Sequence, residues 1–148
     1  MISSSIQRLQ YLTEALPPRL TLIKEEDFSD KPSRHKWSKK QILGHLIDSA
    51  TNNHQRFIRV QFEQTPTIVY NQNEWNSLSY YQQLDSGQLI QFWTLYNKQL
   101  IHIIRHIPEQ NLQKKCNAGG PAPVTLEWLI NDYVAHQEHH LHQIVDYN

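Results

Sequence analysis

The chain is 148 residues long, with fourteen Lys+Arg balancing fourteen Asp+Glu, nine histidines and one cysteine. That length fits a single domain over residues 1–148 that buries about 70% of its unfolded surface, and the lone Cys116 excludes an internal disulfide and points to a reducing, cytoplasmic home. Zero net charge argues against a nucleic-acid partner, whose phosphates a binder must neutralise, and no signal peptide or apolar run of the ~18 residues needed to cross a membrane is present.

Four glycines and short Val/Ile/Thr runs speak against a sheet-rich fold. The first helix is expected from about Ser4 to Ala15, with Ile6, Leu9, Leu12 and Leu16 at helical spacing. Pro17-Pro18 interrupts it, and Leu20, Leu22 and Ile23 continue in a second piece ending by Pro32. The basic run from Lys31 to Lys40 reads as a solvated connector. Ser38 followed by Gln41 is a capping-box pattern, with Trp37 placed to staple back on Ile42. The helix it opens continues to about Glu63, with Leu43, Leu46, Ala50, Phe57 and Val60 on its apolar face.

Residues 64–84 form a long connection rich in aromatics, of the kind that holds short helical pieces or function. Asp85 with Gln88 caps a third helix to about Ile107, with Leu89, Phe92, Trp93, Tyr96, Leu100, Ile103 and Ile104 inward. Residues 109–123, with Gly119-Gly120-Pro121 and Pro123, read as a loop, and Thr125 caps the last helix. Four amphipathic helices in one domain predict an all-α fold, a four-helix bundle. The connections around 24–37 and 64–84 are long enough for an order other than simple up-and-down.

The last helical stretch carries four histidines. With Leu126 at 0° and 100° per residue, Ile130, Val134, Leu141 and Ile144 fall between about 0° and 80°. His140 and His136 land at about −40° and −80°, on the flank of that face, while His139 and His142 point to solvent. On the earlier helix, with Ile42 at 0°, His45 falls at about −60°, beside Ser49, Asn53 and Arg56 at the core boundary. A mixed seam of this kind is how a bundle builds a metal site. Three neutral imidazoles, His45, His136 and His140, suit a divalent ion such as Zn or Ni and leave coordination positions open. Tyr133, Ser49, Gln143 and Asp48 are candidate outer partners for the rings. The zinc-protease pattern fails, because Gln137 stands where the glutamate belongs. Cys116, in a Lys-rich loop without a nearby histidine, reads as an incidental surface thiol.

The run from Trp37-Ser38 through Gln41, His45, Asp48 and Ser49 to Asn53, Arg56 and Phe57, together with Thr125-Leu126 through His136, His139, His140 and Gln143, resembles the DinB-like superfamily. The Tyr70–Trp75 segment is similar to its YfiT-like branch, described as metal-dependent hydrolases and related to bacillithiol S-transferases. The resemblance implies a four-helix bundle with a long crossover connection, usually a homodimer. It also implies a divalent metal on His45, His136 and His140, the three that the helical wheels select.

The expected function is therefore that of a metal-dependent enzyme with a small-molecule substrate. Thiol S-transfer, with the metal activating a low-molecular-weight thiol, comes first. Arg56 would then position an anionic group of the thiol, and Tyr70 and Trp75 would wall the pocket. Metal-dependent hydrolysis by an ionised water is one alternative, and a non-catalytic metal-binding or interaction protein is another. No protein group beyond the metal and its ligands is assigned to catalysis.

Overall fold

In the computed structural model, which describes residues 1–148, six helices and one small hairpin follow in the order α1 (Ser3–Thr21), α2 (Glu25–Ser29), α3 (Lys39–Phe62), α4 (Gln72–Ser79), α5 (Ser86–Arg105), β1 (Lys115–Cys116), β2 (Val124–Thr125) and α6 (Leu126–Leu141). The four long helices make the bundle. α1 packs on α5 and α6, and α3 packs on the same two. The diagonal pairs are therefore α1 with α3 and α5 with α6. Those diagonals are joined by the connections 22–38 and 106–125, whereas the long 63–85 segment joins the neighbours α3 and α5. No helix is long and apolar enough to cross a membrane.

Local chemistry sets the helix starts. Ser38 Oγ accepts from Gln41 N at 3.0 Å and Gln41 Oε1 accepts from Ser38 N at 3.0 Å, completing the capping box of α3. Asp85 Oδ2 accepts from Gln88 N at 2.9 Å on α5, and Thr125 Oγ1 accepts from Trp128 N at 3.1 Å on α6. Asn71 caps α4 through Asn73 N and Glu74 N, so the expected connection does contain a helix. Trp37 does not serve simply as a staple for Ile42. Its ring lies 5.0 Å from that of His45.

α1 runs unbroken through Pro17-Pro18, contrary to the expected interruption. Each proline removes one i→i−4 bond, at about 3 kcal/mol or more in a helix interior. Leu9, Leu12, Leu16 and Leu20 all lie fully buried on one face, and each buried leucine contributes roughly 1.5–3 kcal/mol, enough to hold the last turn in line. Phe92, expected inward, is 49% exposed, because it sits at the edge of the α5 stripe that Leu89, Trp93, Leu100 and Ile104 bury.

The segment read as a loop at 109–123 holds β1, which pairs antiparallel with β2 in the register Lys115–Thr125 and Cys116–Val124. Gly119, at φ +98°, turns the chain between them. The hairpin supports the start of α6, since Leu126 N donates to Lys114 O at 2.8 Å and Glu127 N to Leu112 O at 3.0 Å. Cys116 is consequently not a surface thiol: it is fully buried, and burial pushes its pKa up.

Candidate metal centre

α3 and α6 are neighbours in the bundle, and their seam carries the three histidines. His45 is 1% exposed, while His136 and His140 are half-buried one turn apart on α6. One ring nitrogen from each lies within 4.8 Å of the other two. His45 Nε2 and His136 Nε2 are 3.1 Å apart. The ring centroids stand at 5.0 Å for His45–His136, 4.8 Å for His45–His140 and 4.7 Å for His136–His140, each pair edge-on.

Burial first, and then the mutual repulsion of the rings, drives their basicity down. His45 falls to about 3 and His136 to about 4, each from 6.5, and burial also lowers His140. All three are neutral at pH 7, the form a metal needs. Two nitrogens on a tetrahedral ion at ~2.05 Å stand roughly 3.3 Å apart, so the 3.1 Å pair is already close to a ligand pair. The donor set therefore fits a divalent ion.

The outer partners differ from ring to ring. His140 Nδ1 meets Gln143 Oε1 at 2.9 Å, and His136 Nδ1 lies 3.4 Å from Ser49 Oγ. His45 Nδ1 is buried without a partner. So is Asp48 Oδ2, one turn further along α3, while Asp48 Oδ1 accepts from Tyr81 OH at 2.5 Å. Burial raises the Asp48 carboxyl to about 6, against the lowering effect of that bond. Tyr81 can lie this close because residue 44 is glycine: a Cβ there would meet the Tyr81 ring at 2.2 Å. Tyr133 turns away from the histidines and donates to Asn97 Oδ1 at 2.6 Å.

Arg56, Tyr70 and Trp75 come together beyond Ser49. Arg56 Cζ lies 6.0 Å from the centre of the Tyr70 ring, which meets Trp75 edge-on at 5.9 Å. The Arg56 guanidinium is buried, and its Nε and Nη2 donate to Ile68 O at 3.1 and 2.8 Å. None of the three lines the cleft of about 620 Å³ that opens onto His140 and Gln143. That cleft is lined instead by Pro32, His35, Lys36, Trp37, Ile42, Gln72 and Asn73. Sequence reasoning missed this wall. The signal was the Lys31–Trp37 run leading directly into the α3 cap.

His139 and His142 are exposed, as the wheel expects, and His142 stacks on Tyr147 at 4.0 Å. Gln137, at the position where a zinc protease has glutamate, is fully buried. It accepts from Trp93 Nε1 at 2.9 Å and donates to Leu46 O at 3.3 Å.

A crossover bundle with three convergent imidazoles at one seam defines a helical metal-site class, and the comparisons say which. Residues 6–144 match the DinB superfamily, and the chain belongs to it. Among its relatives is a "Putative metal-dependent hydrolase" of Bacillus cereus strain AH820, 27% identical over 145 residues that cover 95% of this chain and 81% of the relative. A protein of the same description from Bacillus thuringiensis subsp. konkukian matches to the same extent. YfiT from Bacillus subtilis, described as a probable metal-dependent hydrolase with an unusual four-helix bundle topology, superposes with a TM-score of 0.85 at 22% identity, over 95% of this chain and 82% of YfiT.

Proposed function

We propose that the chain is a metal-dependent enzyme in which His45, His136 and His140 hold one divalent ion, zinc or nickel, and that its reaction is thiol S-transfer to a small electrophile. The observation that carries the metal reading is the convergence of three neutral, partly desolvated imidazole nitrogens within 4.8 Å. Bound there, the ion supplies a Lewis acid that lowers the pKa of a nucleophile beside it.

The chain's own residues would do the rest. Gln143 and Ser49 hold the His140 and His136 rings by their outer nitrogens. Trp37 and Ile42 give the cleft an apolar wall next to the histidines, suited to excluding water from the reacting end of a substrate. No carboxylate lines the cleft, and Asp48 is buried and already accepts from Tyr81. A nucleophile that ionises on binding and asks for no protein base suits such a lining, which favours a thiol over water. Hydrolysis is the second reading, and the names of the Bacillus relatives favour it.

Metal analysis of the purified protein after reconstitution with zinc or nickel tests the first part. One ion per chain, lost in His45→Ala, is expected; no stoichiometric uptake at neutral pH overturns both readings. A panel of thiols with a generic electrophile then separates the chemistries. Metal-dependent conjugation supports transfer, and ester or amide cleavage without thiol supports hydrolysis.

A further inference from the structure

Six of the nine histidines lie outside the triad, and four of those are already engaged. His35 Nε2 accepts from Arg34 Nε at 3.2 Å, and His54 Nδ1 meets Tyr96 OH at 2.9 Å. His142 lies flat on Tyr147 at 4.0 Å, and His139 packs edge-on against His140 at 4.9 Å. His102 and His106 are the exception. They are the second i, i+4 histidine pair of the chain, both exposed, with ring centroids 4.5 Å apart and tilted by 48°.

The helix end holds this pair in register. α5 closes at Arg105, but His106 keeps right-handed helical geometry (φ −97°, ψ 0°), and its backbone N–H still donates to Ile103 O and Ile104 O. Its ring Nδ1 meets His102 O at 2.7 Å. A carbonyl only accepts, so Nδ1 carries the proton of the neutral ring and Nε2 keeps its lone pair for a ligand bond. That is the outer-partner arrangement of a metal-bound histidine. A cation there would also sit beside the last carbonyls of α5, the negative end of the helix dipole. Arg105, the nearest cation in sequence, turns to α1 instead, where its Nη2 donates to Gln10 Oε1 at 2.5 Å.

The pair is remote from the triad. α3 and α5 run side by side in the same direction: Lys40 and Ser86 both reach Glu25 at one end, and Asn111 Nδ2 donates to Gln61 Oε1 at 3.0 Å past the other. The His54–Tyr96 bond sets residues 54 and 96 level. At 1.5 Å per residue, His102 therefore lies about 20 Å further along the bundle than His45. No third histidine, cysteine or carboxylate completes a ligand set around it. We propose that His102 and His106 form a second, peripheral metal site: a bidentate imidazole chelate for one borderline divalent ion, nickel(II) or copper(II), with water in the remaining positions. The site is independent of the metal reading of the triad. Two ligands hold an ion less tightly than three, so this one is lost on desalting under conditions that leave the triad loaded.

Nickel(II) titrated calorimetrically into metal-free protein at pH 7.5 provides the test. The parent is expected to show a weaker binding event beside that of the triad. His106→Ala, changed at an exposed side chain, leaves a single imidazole and is expected to weaken that event about tenfold or more. Gln99→His added to His106→Ala places a histidine three residues before His102 on the same face, at another exposed position, and should restore it. A weaker event unchanged in His106→Ala belongs to other donors and overturns the pair, as does its absence from the parent. A loss that Gln99→His does not reverse makes His106 a lone ligand and overturns the chelate. Failure of the triad reads differently: if His45→Gln/His136→Gln protein binds nickel as the parent does, and loses all of it with His106→Ala, the triad holds no ion and the pair stands.

Discussion

His45 and Asp48 stand one turn apart on α3, and each leaves one buried polar atom without a partner, Nδ1 of the ring and Oδ2 of the carboxylate. They are the only such atoms among the buried side chains. A ring that turns Nε2 towards a metal carries its proton on Nδ1 and needs an acceptor there; the free Asp48 oxygen, at helical i, i+3 spacing, makes no bond to that nitrogen here and is the candidate to accept its proton once the ring turns to a metal. Asp48→Asn keeps an acceptor for Tyr81 and replaces the free oxygen by a donor. Metal affinity is expected to fall about 10- to 100-fold, as for other outer partners of ligand histidines.

The stability of Asp48→Asn should move the other way. Burial raises the Asp48 carboxyl from 3.8 to about 6. A group whose folded pKa lies above its unfolded one adds stability below pH 3.8 and loses it as pH rises through about 6. The metal-free variant is therefore expected to be at least as stable as the parent at pH 7.5 in urea, while binding metal less tightly. Unchanged metal affinity would remove Asp48 from the site.

The histidines give metal-free protein a pH dependence of opposite sign. His45 at about 3 and His136 at about 4 lie below their unfolded 6.5, so the unfolded chain binds more protons between those values. Their contribution is present above pH 6.5 and lost as pH falls towards 4 and then 3. The urea midpoint of metal-free protein is expected to drop across that window. A His45→Gln/His136→Gln double variant should flatten the drop, and a parallel fall in the variant would assign it to other groups.

The convergence of His45, His136 and His140 was legible in the sequence because all three sit on regular helices, where 100° per residue places a side chain without knowledge of the fold. The same arithmetic could not find the tie between Asp48 and Tyr81, whose partners are 33 residues apart on different elements. Nor could it tell which part of a basic run faces a cleft. Lys40 turns inward to an ion pair with Glu25 at 2.5 Å, while Lys36 lines the wall beside His140. β1 and β2 are two residues each, too short for an alternating pattern, so the burial of Cys116 left no trace in composition. Pro17-Pro18 misled for a different reason: a local rule yielded to four buried leucines.

Gly44 tests how tightly the Tyr81–Asp48 contact depends on close packing. An alanine Cβ there would stand 2.2–2.5 Å from three Tyr81 ring atoms, so the ring must move and its bond to Asp48 lengthen or break. Gly44→Ala is expected to cost about 3 kcal/mol in urea unfolding, combining overpacking with loss of a bond to a carboxylate. Combining it with Tyr81→Ala should recover the steric part. If Gly44→Ala is as stable as the parent, Tyr81 is free to leave α3 without cost.

Gln137→Glu would complete the letters of a zinc-protease motif, His136-Glu-Glu138-His139-His140, and it should fail as one. The Gln137 side chain points into the core, not into the cleft, where its amide joins α5 to α3 through Trp93 Nε1 and Leu46 O. A glutamate keeps the acceptor for Trp93 but loses the donor to Leu46 O when ionised, and it would place a charge at a fully buried position. The variant is expected to lose about 3 kcal/mol at neutral pH and to show no peptidase activity with zinc present. Protonation would restore a neutral donor, so the deficit should shrink as pH is lowered through the raised pKa of the new carboxyl. Urea midpoints measured for parent and variant at two pH values check this. Equal stability at neutral pH would mean that the charge reaches water and that position 137 borders the site after all.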